Sequence, residues 1–156
     1  MKVIGSLPFE LRRKEIYRYL GYRRGALPDE NVRALAEECI AGALEEAVPR
    51  MVYRIDPVIA GGPEEVAISG ISVHSGYLAR NLSGCGRAVI FAATLSSGID
   101  ALLRRYSALD VAKAAVMQAV AAEMIESYID AALARIKSEE LSGDERLQPR
   151  FSPGFG

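Results

Sequence analysis

Arg87-Ala-Val-Ile-Phe-Ala-Ala-Thr94 contains six consecutive apolar residues between two polar ends. The run follows Gly84-Cys85-Gly86 and stops before Ser96-Ser97-Gly98, so it has the length of a strand rather than a helix. An unbroken apolar run of this kind predicts a central strand covered on both faces. Upstream, Met51-Val-Tyr-Arg-Ile-Asp56 alternates and is rich in β-formers. Glu65 to Ile71 (EVAISGI), after the break at Gly61-Gly62-Pro63, reads as another strand, and His74 to Leu82 as a short helix.

Helical patterns flank this β-rich middle. Glu10 to Leu20 (ELRRKEIYRYL) is a short helix stopped by Gly21. After Leu27-Pro28-Asp29-Glu30, the residues Val32, Leu35, Ala36, Cys39, Ile40, Ala43, Leu44 and Ala47 recur at helical spacing until Pro49. Downstream, Ser96-Ser97-Gly98 can cap a helix over Ile99 to Ser107, and a long helix is expected from Leu109 to about Lys137. Helices, then strands, then helices predict an α+β fold, with a mixed or antiparallel sheet of about three to four strands packed with long helices. The length of 156 residues suits a single domain over 1–156, with 138–156 (SEELSGDERLQPRFSPGFG) as an extended tail.

Composition removes several functions. Nineteen basic and twenty acidic side chains nearly cancel, leaving no field for nucleic acid or an anionic membrane. A single histidine rules out an HExxH pair or a His-rich zinc site, so no metal is expected. Two cysteines, Cys39 and Cys85, make no disulfide framework, which points to a reducing cytoplasm. The N-terminus reaches charge too soon for a signal peptide, and no apolar run has transmembrane length.

One carboxylate stands out. From Val111 to Ile125 the long helix carries only Lys113 and Glu123, and Glu123 shares a face with Leu109, Ala112, Val116 and Val120. A glutamate on an apolar stripe needs a reason, because an unpaired buried carboxylate is costly. Three reasons stand open: an internal arginine (Arg54, Arg87 or Arg104) or nearby solvent, a protonated carboxyl, or a polar ligand. Gly84-Cys85-Gly86 precedes its strand instead of following one, unlike a dinucleotide loop, and reads as a turn. His74 could act as a base but, as a lone histidine, reads as structural, and Cys85 has no neighbouring base, so no catalytic side chain is assigned. Arg104-Arg105 reads as part of a solvated helix face.

The chain closes on Arg150-Phe151-Ser152-Pro153-Gly154-Phe155-Gly156. Pro153-Gly154 is a turn signal, Gly154 permits close backbone approach, and two phenylalanines can flank a planar ligand or anchor a tail. This heptad resembles the Arg-x-x-Pro-Gly-Tyr signature of the activation domain of cobalamin-dependent methionine synthase and of stand-alone proteins similar to it. Glu15-Ile-Tyr-Arg-Tyr-Leu-Gly-Tyr22, with the Pro28-Asp-Glu helix, resembles the N-terminal part of those stand-alone proteins. Phe91-Ala-Ala-Thr94 is similar to a Phe-Ala-Val-Thr stretch of the activation domain, and Glu123, with Tyr128 five residues on, matches a ligand-binding glutamate of the family.

The resemblance implies an activation-domain-like fold and a site for S-adenosylmethionine. Arg150, Phe151 and Gly154 would line the adenosine, with Phe155 standing where the family has tyrosine. Glu123 would meet the polar part of the ligand, and Asp144, six positions before Arg150, would stand where an acidic residue assists. The implied chemistry is reductive methylation of cobalamin held by a partner, a corrinoid-binding methionine synthase or methyltransferase, with an electron from a flavodoxin-like donor. Cofactors would carry the reaction, so no catalytic side chain is required. The family's domain continues past this signature, so the chain is expected to be shortened or a fragment. The competing expectation is an interaction or assembly protein of the same fold that has lost the ligand, its apolar helices burying one another across a homodimer.

Overall fold

The computed structural model describes residues 1–152. The signature positions Gly154 and Phe155 lie outside the described residues.

Strand β1 (Lys2–Ile4) and helix α1 (Arg13–Tyr19) open the chain. Helix α2 (Glu30–Glu46) starts where its cap is best: the Asp29 carboxylate accepts from the Val32 amide at 3.0 Å. Strands β2 (Arg50–Ala60), β3 (Glu65–Ile68) and β4 (Ile71–His74) follow, then helix α3 (Gly76–Asn81), capped by Ser75. Strand β5 (Arg87–Thr94) and helices α4 (Ser97–Leu109) and α5 (Val111–Glu140) complete the order. The strands form one sheet in the order β1-β2-β3-β4, with β5 also paired to β2. The expected α+β class stands, with five strands and five helices among the described residues.

Several expectations are corrected. Glu65–Ile71 is not one strand, because Ser69 and Gly70 both have left-handed φ, 55° and 76°, and fold it into a hairpin. Two positive φ values in a two-residue loop make the type I′ turn that matches strand twist. Antiparallel pairs Ile68↔Ile71 and Val66↔Val73 flank it, and His74 ends β4 instead of starting the helix. Beyond Ala88, strand β5 is covered on one face only: Val89, Phe91 and Ala93 are half-buried, while Ile90, Ala92 and Thr94 on the other face are exposed. Its outward positions are themselves apolar, so the alternation did not show in the sequence.

The long helix begins after a break. Asp110 has extended backbone, and its carboxylate accepts from the Lys113 amide at 3.0 Å, which makes it the cap of α5. Leu109 therefore ends α4, and both Leu109 and Ala112 are exposed, so the buried stripe leading to Glu123 begins at Val116. At the other end, 138–140 belong to the helix, and the extended tail starts at Leu141.

The chain divides into two compact units, each made of separated segments. A helical unit comprises Val3–Met51 and Ala93–Arg135. A sheet unit comprises Met1–Lys2, Val52–Ala92 and the chain from Ile136 onward. In the helical unit one core cluster joins Ile16 and Tyr17 of α1, Ala36, Cys39, Ile40 and Ala43 of α2, and Val116, Met117, Val120 and Met124 of α5. Burial pushes the Cys39 thiol up to about 11, so it is packing material rather than a nucleophile. The sheet unit has a smaller buried set: Tyr53, Val66, Ala88 and Ile136. Among the described residues no helix is long and apolar enough to cross a membrane.

Candidate functional site

Glu123 is fully buried in the helical unit. Its Oε1 accepts three hydrogen bonds: from Arg12 Nε at 2.7 Å, from Ser127 Oγ at 2.7 Å and from the Arg12 amide at 3.2 Å. Among the described residues, its Oε2 receives only the long contact from Arg12 Nη2 at 3.5 Å. A carboxylate offers about four acceptor sites, so the spare capacity lies on Oε2. Arg12 is half-exposed and also reaches Asp130 Oδ2 at 3.3 Å. The hydrogen bond to Glu123 holds the Arg12 guanidinium above its already high ordinary pKa. The two side chains have the geometry of a salt bridge.

Of the reasons for a buried glutamate, the internal arginine is the one present, but it is Arg12 and none of the three named from sequence. Arg54 pairs with Asp56 at 2.7 Å, Arg87 pairs with Glu145, and Arg104 is exposed on α4. Ser127, one helical turn beyond Glu123, was visible as an i,i+4 neighbour. Arg12 lies 111 residues away, and no local pattern marks it. Five residues beyond Glu123, Tyr128 is buried and its hydroxyl donates toward the carbonyls of Ile4 at 3.0 Å and Gly5 at 2.9 Å. Phe9 meets the Tyr128 ring edge-on at 6.0 Å. The N-terminal segment is thus fastened to α5 at Arg12, Phe9 and Gly5.

The other predicted site residues that are described, Asp144, Arg150 and Phe151, belong to the sheet unit. Asp144 is exposed in the turn after α5, Arg150 is exposed and Phe151 is half-buried. Glu145, next to Asp144, is the residue the tail uses: Arg87 Nη2 donates to both its oxygens, at 2.6 and 2.8 Å. The Ser142 amide donates to the same carboxylate at 3.0 Å. That hydrogen bond and Arg87 hold the Glu145 carboxyl below the usual carboxylate range. Farther along, Asn81 Nδ2 donates to the Pro149 carbonyl at 2.9 Å, one residue before Arg150. Sequence reasoning missed Asn81 and Arg87 as partners of this segment.

The remaining candidates do not assemble chemistry. His74 is exposed with Nε2 3.5 Å from Glu64. Cys85 sits in a turn, its amide donating to the Leu82 carbonyl at 2.9 Å. It lines an open groove of about 970 Å³ in the sheet unit, together with Val58, Val66, Tyr77 and Arg80. No group of three or more His, Cys, Asp or Glu able to hold a metal occurs among the described residues.

A scan against models of protein families finds no match. A search of curated proteins likewise finds none. Among solved structures the chain is similar to a crystal structure of the MetH reactivation domain bound to AdoHcy. The superposition has a TM-score of 0.61 at 16% sequence identity, and covers 94% of this chain and 58% of that one. The chain thus spans a little over half the length of the protein it resembles, and nearly all of its own length shares that α+β fold.

Proposed function

We propose that this chain is an S-adenosylmethionine-binding module that assists reductive methylation of an inactivated corrinoid held by a partner protein. One coincidence carries the reading: the fold of an AdoHcy-bound domain extends over 94% of a chain that ends in an activation-domain-like signature. AdoHcy is what S-adenosylmethionine becomes when its sulfonium methyl group leaves. In this reading a flavodoxin-like donor reduces the corrinoid, which then takes that methyl, and this chain supplies binding and orientation. Arg150, Phe151, Gly154 and Phe155 would run along the adenosine, with Asp144 assisting. Glu123 would offer Oε2, its less engaged oxygen, to the polar part of the ligand.

Isothermal calorimetry with S-adenosylmethionine tests this directly. Saturable heat is expected, weakened at least tenfold by Phe151→Ala. No heat from the full-length protein would sink it.

One observation favours a second reading, an interaction or assembly protein of the same fold without a ligand. Glu123 is already neutralised by Arg12 and enclosed by its own chain, so it needs no ligand to explain its burial. Light scattering after size exclusion separates the two. A dimer that gives no heat with S-adenosylmethionine fits the second reading, and a strict monomer that binds the ligand removes it.

A further inference from the structure

The segment from Leu141 to Ser152 has no regular secondary structure and is largely exposed, yet it is tied to the sheet unit at two separate places. The first tie is Arg87, at the start of β5, gripping Glu145 through both carboxylate oxygens. The same Nη2 also reaches the Glu140 carbonyl at the end of α5, at 3.4 Å. The Ser142 amide closes the turn onto the same carboxylate. The second tie is Asn81, the last residue of α3, donating to the Pro149 carbonyl. Helix α3 is itself fixed, since Ser75 Oγ accepts from the Leu78 amide and α3 packs on β3.

Where the second tie falls is informative. Proline has a locked φ and no N–H, and it restricts the residue before it. A hydrogen bond to the carbonyl of Pro149 therefore fixes the direction in which the chain leaves toward Arg150. Only three residues, 146–148, lie between the two anchored positions, 145 and 149, so the segment between them can neither slide nor rotate far.

We infer that Asn81 and Arg87 are positioning residues: they set the course of the segment that presents Arg150 and Phe151, and so preorganise it for a ligand. The ligand half of this rests on the function proposed above. The tether half rests on geometry alone. Preorganising a loop raises affinity by removing an ordering cost that binding would otherwise incur.

The experiment pairs a readout of the tail with a readout of the ligand. Three variants serve: Asn81→Leu keeps the size and removes the donor, Asn81→Asp turns the donor into an acceptor facing a carbonyl, and Arg87→Lys keeps the charge but replaces the planar guanidinium with a shorter, more strongly hydrated ammonium. Backbone ¹⁵N relaxation is measured on residues 142–152, and S-adenosylmethionine is titrated by calorimetry in the same full-length proteins. In the unaltered chain the order parameters of Arg150 to Ser152 are expected near those of rigid backbone, about 0.8, falling below about 0.6 in both Asn81 variants. Affinity should fall about tenfold in the Asn81 variants and severalfold in Arg87→Lys, with the thermal midpoint unchanged. A purely structural role would move the midpoint and the affinity together.

Unchanged tail order in the Asn81 variants overturns the tether, even if the ligand binds. A freed tail with undiminished affinity overturns the positioning role. An unaltered chain that gives no heat overturns the proposed function and the ligand half with it, while the order parameters still decide the tether.

Discussion

The helical unit and the sheet unit both rely on an arginine–glutamate pair, and they use it in opposite ways. Arg12–Glu123 has a fully buried carboxylate at the centre of an apolar stripe, with Ser127 completing its shell. Arg87–Glu145 has both partners nearly half-exposed, on a segment with no core of its own. Once a charge is enclosed, removing its partner is expensive, whereas an exposed pair is screened and adds little stability. The contrast bears on function. The buried pair is first an element of folding, and the exposed pair can only steer a segment that something else uses.

Breaking the buried pair gives the largest expected effect. Arg12→Ala leaves Glu123 enclosed with Ser127 as its remaining side-chain donor and should cost about 3 kcal/mol, the low end for such deletions because Arg12 is half-exposed. Urea denaturation measures it. Glu123→Gln keeps the shape and an acceptor oxygen for Arg12, and should cost about 1 kcal/mol. If Arg12→Ala leaves the urea midpoint in place, the burial of Glu123 does not depend on this pair, and the carboxylate is better explained as a ligand group.

Glycines sharpen the same contrast through packing. A Cβ on Gly98, in the first turn of α4, would lie 2.6 Å from the Glu46 carbonyl oxygen at the end of α2. Neither backbone gives way easily, so Gly98→Ala should destabilise by about 2 kcal/mol, as overpacking does. In the sheet unit, Gly70 has open space around it but φ +76°, so Gly70→Ala meets only conformational strain. Its expected cost is about 1 kcal/mol. Thermal midpoints of the two variants rank them, and a larger effect at Gly70 would reverse the view that close packing is concentrated in the helical unit.

The sequence disclosed elements whose signals are local. Pro28-Asp29-Glu30 ahead of the helical spacing, Pro49 after Ala47 and the apolar run ending at Thr94 gave α2 and β5 nearly residue for residue. It also picked out Glu123 as the odd residue of α5. It failed where one local pattern had two meanings. Ser69-Gly70 reads as small residues within a strand until both take positive φ, and Leu109 continues a helical period until Asp110 turns extended. The partners of Glu123 and of the tail were illegible for another reason: Arg12–Glu123, Asn81–Pro149 and Arg87–Glu145 join residues 58 to 111 positions apart. Pairing at that distance is decided by packing, and no spacing rule encodes it. The candidate site was thus read as residue types, while its supports had to be seen.

The smallest expected effect is the most specific to the exposed pair. The Glu145 carboxyl is held below its ordinary range by the Ser142 amide first and by Arg87 second. For a group with a depressed folded-state pKa, the favourable contribution is fully present above the unfolded value, about 4.3, and disappears as pH falls through the folded value. The tie should therefore be intact at neutral pH and release on acidification below about pH 4, with no counterpart on the alkaline side. A ¹³C titration of the Glu145 carboxyl should give a midpoint below about 4.3. Arg87→Met should raise that midpoint only part of the way, because the Ser142 hydrogen bond survives, and added salt should raise it further in the unaltered chain than in the variant. Global stability should hardly respond, since both partners are open to water. A midpoint at or above the ordinary value would mean that Arg87 does not grip Glu145 in solution, and the tie at this end of the tail would be removed.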